Sequence, residues 1–195
     1  MKKIDTRYIT QIAAMSAIAG VLMMFEMPLW FAPGFYKMDL SDLPALIGGL
    51  AMGPLAGVII EGIKVIISII LGGTTTFFVG EVSNFIIGCS FVVPAAFVYK
   101  YNRSRKGAYI GMTVGTLILA SVGSAMNAFV LIPAYVKILE LPMEQIVAMG
   151  TAVNPAITSL STLVLFAVVP FNLLKGMLVS IITALIYKKI RIIIK

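Results

Sequence analysis

The stretch from Leu160 to Tyr187 reads LSTLVLFAVVPFNLLKGMLVSIITALIY. It is longer than the roughly 20 apolar residues that a helix needs to cross a bilayer. Its one charged residue is Lys175. The run is continuous, not alternating, so it reads as a membrane helix and argues against a barrel strand. Five further runs of this kind precede it. The six expected spans are about 8–25, 43–52, 55–71, 82–99, 109–136 and 160–187. Gly53-Pro54 turns the second into the third, and a longer connection, 137–159, joins the fifth to the sixth.

The whole composition fits. Of 195 residues 60% are hydrophobic and 12% charged, against about 45–50% and 25% in ordinary soluble domains. A soluble globule lacks polar surface at these proportions. The expected fold is an all-α integral membrane protein over 1–195, one transmembrane domain of six helices. The start of the chain resembles a signal peptide only superficially. Lys2 and Lys3 precede an apolar run and Ala17-Ile18-Ala19 mimics a cleavage site, but Asp5 and Arg7 shorten the apolar region.

Charge sets the orientation. Lys2, Lys3 and Arg7 stand at the N-terminus. Lys100, Arg103, Arg105 and Lys106 stand between spans four and five, and Lys188, Lys189, Arg191 and Lys195 at the C-terminus. Eleven of the fifteen basic residues thus lie in three segments that six spans bring to one side. The positive-inside rule makes that side cytoplasmic. Both termini are then inside, in a bacterial plasma membrane, and the loops 26–42, 72–80 and 137–159 are outside. The net charge of +7 therefore reads as topology and not as a nucleic-acid footprint.

Several chemistries are excluded. The chain has no His and one Cys, so His-based catalysis, an internal disulfide and a zinc site are absent. Cys89 reads as a small buried apolar residue. No G-x-x-x-x-G-K-[ST] occurs, so the chain has no P-loop of its own. A membrane enzyme with Glu61 or Glu81 as base has no recognisable nucleophile or metal partner. The chain is expected to be neither an enzyme nor the holder of a cofactor or metal.

Polar residues inside spans are costly and mark function or pairing. Counting about 1.5 Å per residue from the cytoplasmic ends, Lys175 lies about 20 Å up, Asn172 and Asn84 about 24 Å, and Asn127 about 27 Å. In a core about 30 Å thick these four share the outer third on three helices, as a pocket open to the outside requires. Asn172 and Lys175, at i and i+3, share a face. Pro170 before them loosens the helix and frees carbonyls. Simple pairing of Lys175 with Glu81, and interhelical glue for Asn127, are the structural alternatives. Glu61 and Lys64, also at i and i+3, read as a mutually neutralising pair, with a proton relay as the other reading. That relay would make the chain a proton-coupled secondary transporter.

The outer loop carries Trp30, Phe31, Phe35 and Tyr36. It is either an aromatic belt or a lid over a flat ligand, with turns at Pro28 and Pro33-Gly34. Small residues at Ala13 and Ala17, Gly53 and Gly57, and Gly111 and Gly115 mark close helix packing or a docking face.

Four stretches carry a resemblance: Tyr36-Lys37-Met38-Asp39-Leu40-Ser41-Asp42-Leu43-Pro44-Ala45-Leu46-Ile47-Gly48-Gly49, Gly53-Pro54-Leu55-Ala56-Gly57, Gly80-Glu81-Val82-Ser83-Asn84-Phe85 and Pro170-Phe171-Asn172-Leu173-Leu174-Lys175-Gly176. With them the chain resembles the substrate-binding S components of energy-coupling factor (ECF) vitamin transporters, most closely the riboflavin-specific ones. The resemblance implies uptake of riboflavin as transported substrate, with some tolerance for flavin mononucleotide. Another vitamin or a flavin analogue is the alternative. It implies a membrane-embedded coupling (T) subunit and two ABC ATPase subunits as partners. It assigns flavin contacts to Asn127, Asn172 and Lys175, docking of the coupling subunit to Ala13 and Ala17, and a lid to the first outer loop through Trp30, Phe35 and Tyr36. Met38, Asp39 and Leu40 on the first matched stretch join the expected binding residues. Val65, Ile66 and Ile67 depart from the polar residues of the family pattern, which puts a binding role for span three in question.

The ligand chemistry agrees with these types. Asn amides offer donor and acceptor to a pyrimidine edge, and Lys offers donors. Met23, Met27, Met38, Phe77 and Phe78 are candidates to sandwich the ring, and Glu81 and Asn84 to meet ribityl hydroxyls.

Overall fold

A computed structural model describes the backbone of residues 5–193 and the side chains of residues 5–186. Lys2, Lys3 and Lys195, three of the residues that set the expected orientation, lie outside the described residues, as do the side chains of Lys188, Lys189 and Arg191.

Local chemistry explains most helix boundaries. Helix α1 (Thr6–Met23) begins where the Asp5 carboxylate accepts from the Arg7 amide, a side-chain cap for an orphan donor. Two short strands follow, β1 (Met27–Pro28) and β2 (Lys37–Met38), antiparallel with Met27 opposite Met38. Helix α2 (Asp42–Met52) ends at Gly53, whose φ of 108° only glycine adopts at low cost. Pro54 then opens α3 (Pro54–Gly72) in the first turn, where its missing N–H is not needed. Helix α4 (Val79–Tyr101) and α5 (Arg105–Met126) form a hairpin, with the Ser104 hydroxyl capping α5.

The last two long helices are interrupted. Helix α5 passes through a π-turn, Asn127–Leu131, into α6 (Ile132–Ile138). After α7 (Met143–Thr151), helix α8 (Leu160–Leu163) passes through a second π-turn, Val164–Val168, into α9 (Val169–Ile193). The expected connection 137–159 thus contains a helix of its own. Its buried Ile146 and Gly150, one turn apart, give α7 the inward stripe that fastens it.

The protein is all-helical apart from the strand pair. Among the described residues four helices are long and apolar enough to cross a membrane: Pro54–Gly72, Val79–Tyr101, Arg105–Ile138 and Leu160–Ile186. The other two expected spans differ for identifiable reasons. Helix α2 has 11 residues, about 16 Å of rise. Helix α1 carries Arg7, Thr10 and Gln11 in its first half.

Two apolar clusters organise the packing. Ile12, Leu46, Ile60, Phe91, Val92 and Leu119 centre the first, between α1 and α5. Tyr36, Met38, Ile132, Ile157, Val168 and Phe171 centre the second, where the first loop meets α6 to α9. The stripe at Gly111 and Gly115 is a helix seam. A Cβ at Gly111 would lie 2.5 Å from the Ala95 carbonyl oxygen, and one at Gly115 2.5 Å from that of Phe91. Backbone cannot yield as a side-chain tip can. Gly111→Val is therefore expected to cost at least the 1–3 kcal/mol or so typical of overpacking, read as a lower thermal midpoint in detergent. An unchanged midpoint would contradict this seam. Ala13 and Ala17, by contrast, are exposed on the outer face of α1.

Candidate functional site

The site is assembled where the first loop folds over the two π-turns. A turn closed by the Tyr36 amide on the Pro33 carbonyl, 2.9 Å, directs Tyr36 inward. Its ring is buried, with centroids 4.5 Å from Phe35 and 5.6 Å from Phe171. Its hydroxyl donates to Asn127 Oδ1 at 2.7 Å. Burial pushes the phenol well above its ordinary range, so it remains a neutral donor.

Asn127 is the first residue of its π-turn, and its Nδ2 donates to the Gly123 carbonyl at 2.8 Å. Asn172 does the same on α9, with Nδ2 on the Val168 carbonyl at 2.9 Å. The two amides belong to one layer. Gly123 lies against Asn172, and a Cβ there would stand 2.8 Å from Nδ2. π-Turns frequently occur at functional sites because the wider ring re-aims side chains. Here one starts at Asn127 and the other ends four residues before Asn172.

Below the amides runs a chain of buried charges. Lys175 Nζ is 3.1 Å from Asp39 Oδ2 and 3.1 Å from Asp42 Oδ2. Asp42 Oδ1 in turn takes Lys64 Nζ at 2.6 Å, and Lys64 reaches Glu61 Oε2 at 2.5 Å. All five side chains are buried. Three carboxylates and two ammonium groups thus tie the loop, α2, α3 and α9 together. Charges taken out of water demand such partners.

The alternative pairing of Lys175 with Glu81 is corrected. Glu81 is half-buried at the start of α4 and accepts from Thr76 Oγ1 at 2.8 Å. Lys175 turns instead to Asp39 and Asp42, because the loop folds back onto α9. The Glu61–Lys64 contact is present, but Lys64 shares itself with Asp42.

The other singled-out residues divide. Met38 and Asp39 are buried at the end of the loop, and Leu40 is half-buried against the first cluster. Asn84 Oδ1 and Ser83 Oγ are buried without a hydrogen-bond partner among the described residues. Phe35 is half-buried, Trp30 is 88% exposed and Phe77 67% exposed. Of the residues proposed to wall a ring, Met23 is buried while Met27 and Phe78 are exposed. Sequence reasoning missed Asp42 as the hub. Its signal was present: Asp39 and Asp42 stand three apart in a matched stretch, just ahead of an apolar run.

This arrangement supplies amide donors and acceptors, a cation and aromatic walls in a buried layer. In this arrangement those groups are paired with one another and with the backbone. Among the described residues no group of His, Cys, Asp and Glu suited to a metal occurs.

Comparison with known proteins follows the same line. The family described as "ECF transporter, substrate-specific component" matches residues 7–187. The chain is 35% identical over 181 residues to the riboflavin transporter FmnP of Bacillus subtilis (strain 168), covering 92% of this chain and 90% of that protein. It is 32% identical over 186 residues to the riboflavin transporter RibU of Staphylococcus aureus (strain TCH60), covering 95% and 90%. A solved structure described as "Structure and mechanism of the S component of a bacterial ECF transporter" aligns with a TM-score of 0.75 at 30% identity. That alignment covers 97% of this chain and 98% of the other.

Proposed function

Because the chain belongs to the substrate-specific components of ECF transporters, we propose that it captures riboflavin outside the cell as the binding subunit of such a transporter. The observation that carries this reading is the layer formed by Asn127, Asn172 and Lys175 beneath a loop whose Tyr36 rests on Asn127. A pyrimidine edge alternates donors and acceptors, and amides answer both. Lys175 adds a donor for a carbonyl. Tyr36, Met38 and Phe171 supply apolar and aromatic contact for the ring. Glu81, Asn84 and Ser83 are the candidates to meet the ribityl hydroxyls; for Asn84 and Ser83 the reason is that an unpaired buried polar atom is costly until a ligand or water satisfies it.

The loop then acts as a lid with Trp30, Phe35 and Tyr36. In the closed arrangement the Tyr36 hydroxyl occupies Asn127 Oδ1, and opening releases that acceptor to the ligand. Helices α1 and α2 complete a six-helix bundle with both termini in the cytoplasm, as the basic residues indicate. Energy comes from two ABC ATPases through a membrane-embedded coupling subunit, and the exposed small residues Ala13 and Ala17 offer that subunit a close approach. Flavin mononucleotide is the nearest alternative ligand, since its ring is the same.

The absorption spectrum of the purified protein tests the substrate class. Protein from riboflavin-fed cells should carry flavin bands, and a panel of other vitamins should leave them in place. Displacement by a different vitamin would reassign the substrate.

A further inference from the structure

We propose that Asp42 is a positioning residue for ligand binding: it holds the Lys175 ammonium so that one N–H remains for the ligand, and α3 sets that position through Lys64 and Glu61. This rests on the reading of Asn127, Asn172 and Lys175 as the flavin site.

The oxygens are assigned one by one. An ammonium has three N–H donors; Lys175 donates one to Asp39 Oδ2 at 3.1 Å and is ion-paired with Asp42 Oδ2 at 3.1 Å. Asp39 Oδ1 is committed to Ser41, accepting from its amide at 2.8 Å and from its hydroxyl. Asp42 Oδ1 is committed to Lys64 at 2.6 Å. Neither carboxylate can rotate without losing a charged partner. Asp42 also stands in the first turn of α2, where the helix dipole favours a negative charge. Lys64 is fixed from its other side by Glu61 at 2.5 Å. Glu61 in turn packs on Gly88 of α4, where a Cβ would meet its Oε2 at 2.5 Å. The N–H left on Lys175 is thus directed by a frame of ion pairs that reaches two helices away. Helix α3 contributes to binding with no ligand contact of its own.

The test is a double-mutant cycle read by quenching of riboflavin fluorescence. Asp42→Asn should weaken binding about tenfold or more, equivalent to about 1.4 kcal/mol. In a Lys175→Met background the same substitution should change affinity less than twofold, because Asp42 acts through that ammonium. Glu61→Gln, which keeps size at the far end of the frame, should repeat the pattern with a smaller loss, and it serves if Asp42→Asn does not fold. Equal losses in both backgrounds would mean a general structural role and overturn the proposal, as would unchanged affinity. Wild-type protein that binds no flavin would overturn the substrate reading instead.

Discussion

Lys64→Met is expected to be the most destabilising single substitution in the molecule. Methionine fills nearly the same space, so the loss isolates the charge. It leaves Glu61 without a cation and Asp42 with Lys175 alone. Removing one partner of a buried pair costs about 3–5 kcal/mol, because the other is left buried and uncompensated. The thermal midpoint in detergent should fall sharply. Replacing the pair together, as Glu61→Leu with Lys64→Met, should recover much of the loss, since apolar residues of similar volume often substitute for a buried ion pair. Asp42 keeps Lys175 in that double variant. A midpoint unchanged by Lys64→Met would mean that the charges are solvated and the frame is not rigid.

Lys175→Ala and Asn127→Ala are expected to have the largest effects on riboflavin affinity, at least tenfold each. Lysine loses its donor, which leaves Asp39 without a cation and Asp42 with Lys64 alone. A hydrogen bond involving a charged group contributes about 1.5–3 kcal/mol, and tenfold corresponds to about 1.4 kcal/mol. Asparagine loses an amide facing the ligand and also the acceptor that latches Tyr36. Because that latch belongs to the ligand-free lid, its loss should speed association, while the lost ligand contact speeds dissociation. Fluorescence quenching titrations measure the affinity and stopped-flow release measures the rate. Wild-type affinity in both variants would move the site elsewhere.

What was legible in the sequence follows the range of the interactions. Hydropathy marks helices because bilayer and core select apolar residues locally. Glu61 with Lys64, and Asn172 with Lys175, are legible because three residues bring side chains to one face. Depth along the helices groups Asn84, Asn127, Asn172 and Lys175, and of these Asn127 and Asn172 meet at Gly123 in the structure. The partners of Lys175 were not legible. Asp39 stands 136 residues away, and its pairing depends on how an irregular loop folds back. The π-turns were hidden too, because one extra residue in a helical ring leaves the apolar pattern intact. Helix α7 lay in a stretch read as connection, since nine residues give too short a pattern to separate from a loop. The exposure of Trp30 and Phe77 shows a similar limit: aromatic composition says nothing of which ring turns inward.

The central claim is that this buried layer of two amides and a lysine is a riboflavin site. Titrating purified protein with riboflavin while following flavin fluorescence tests it most directly. Quenching should saturate at one riboflavin per chain in the nanomolar range. Fluorescence that stays unquenched into the micromolar range would contradict it.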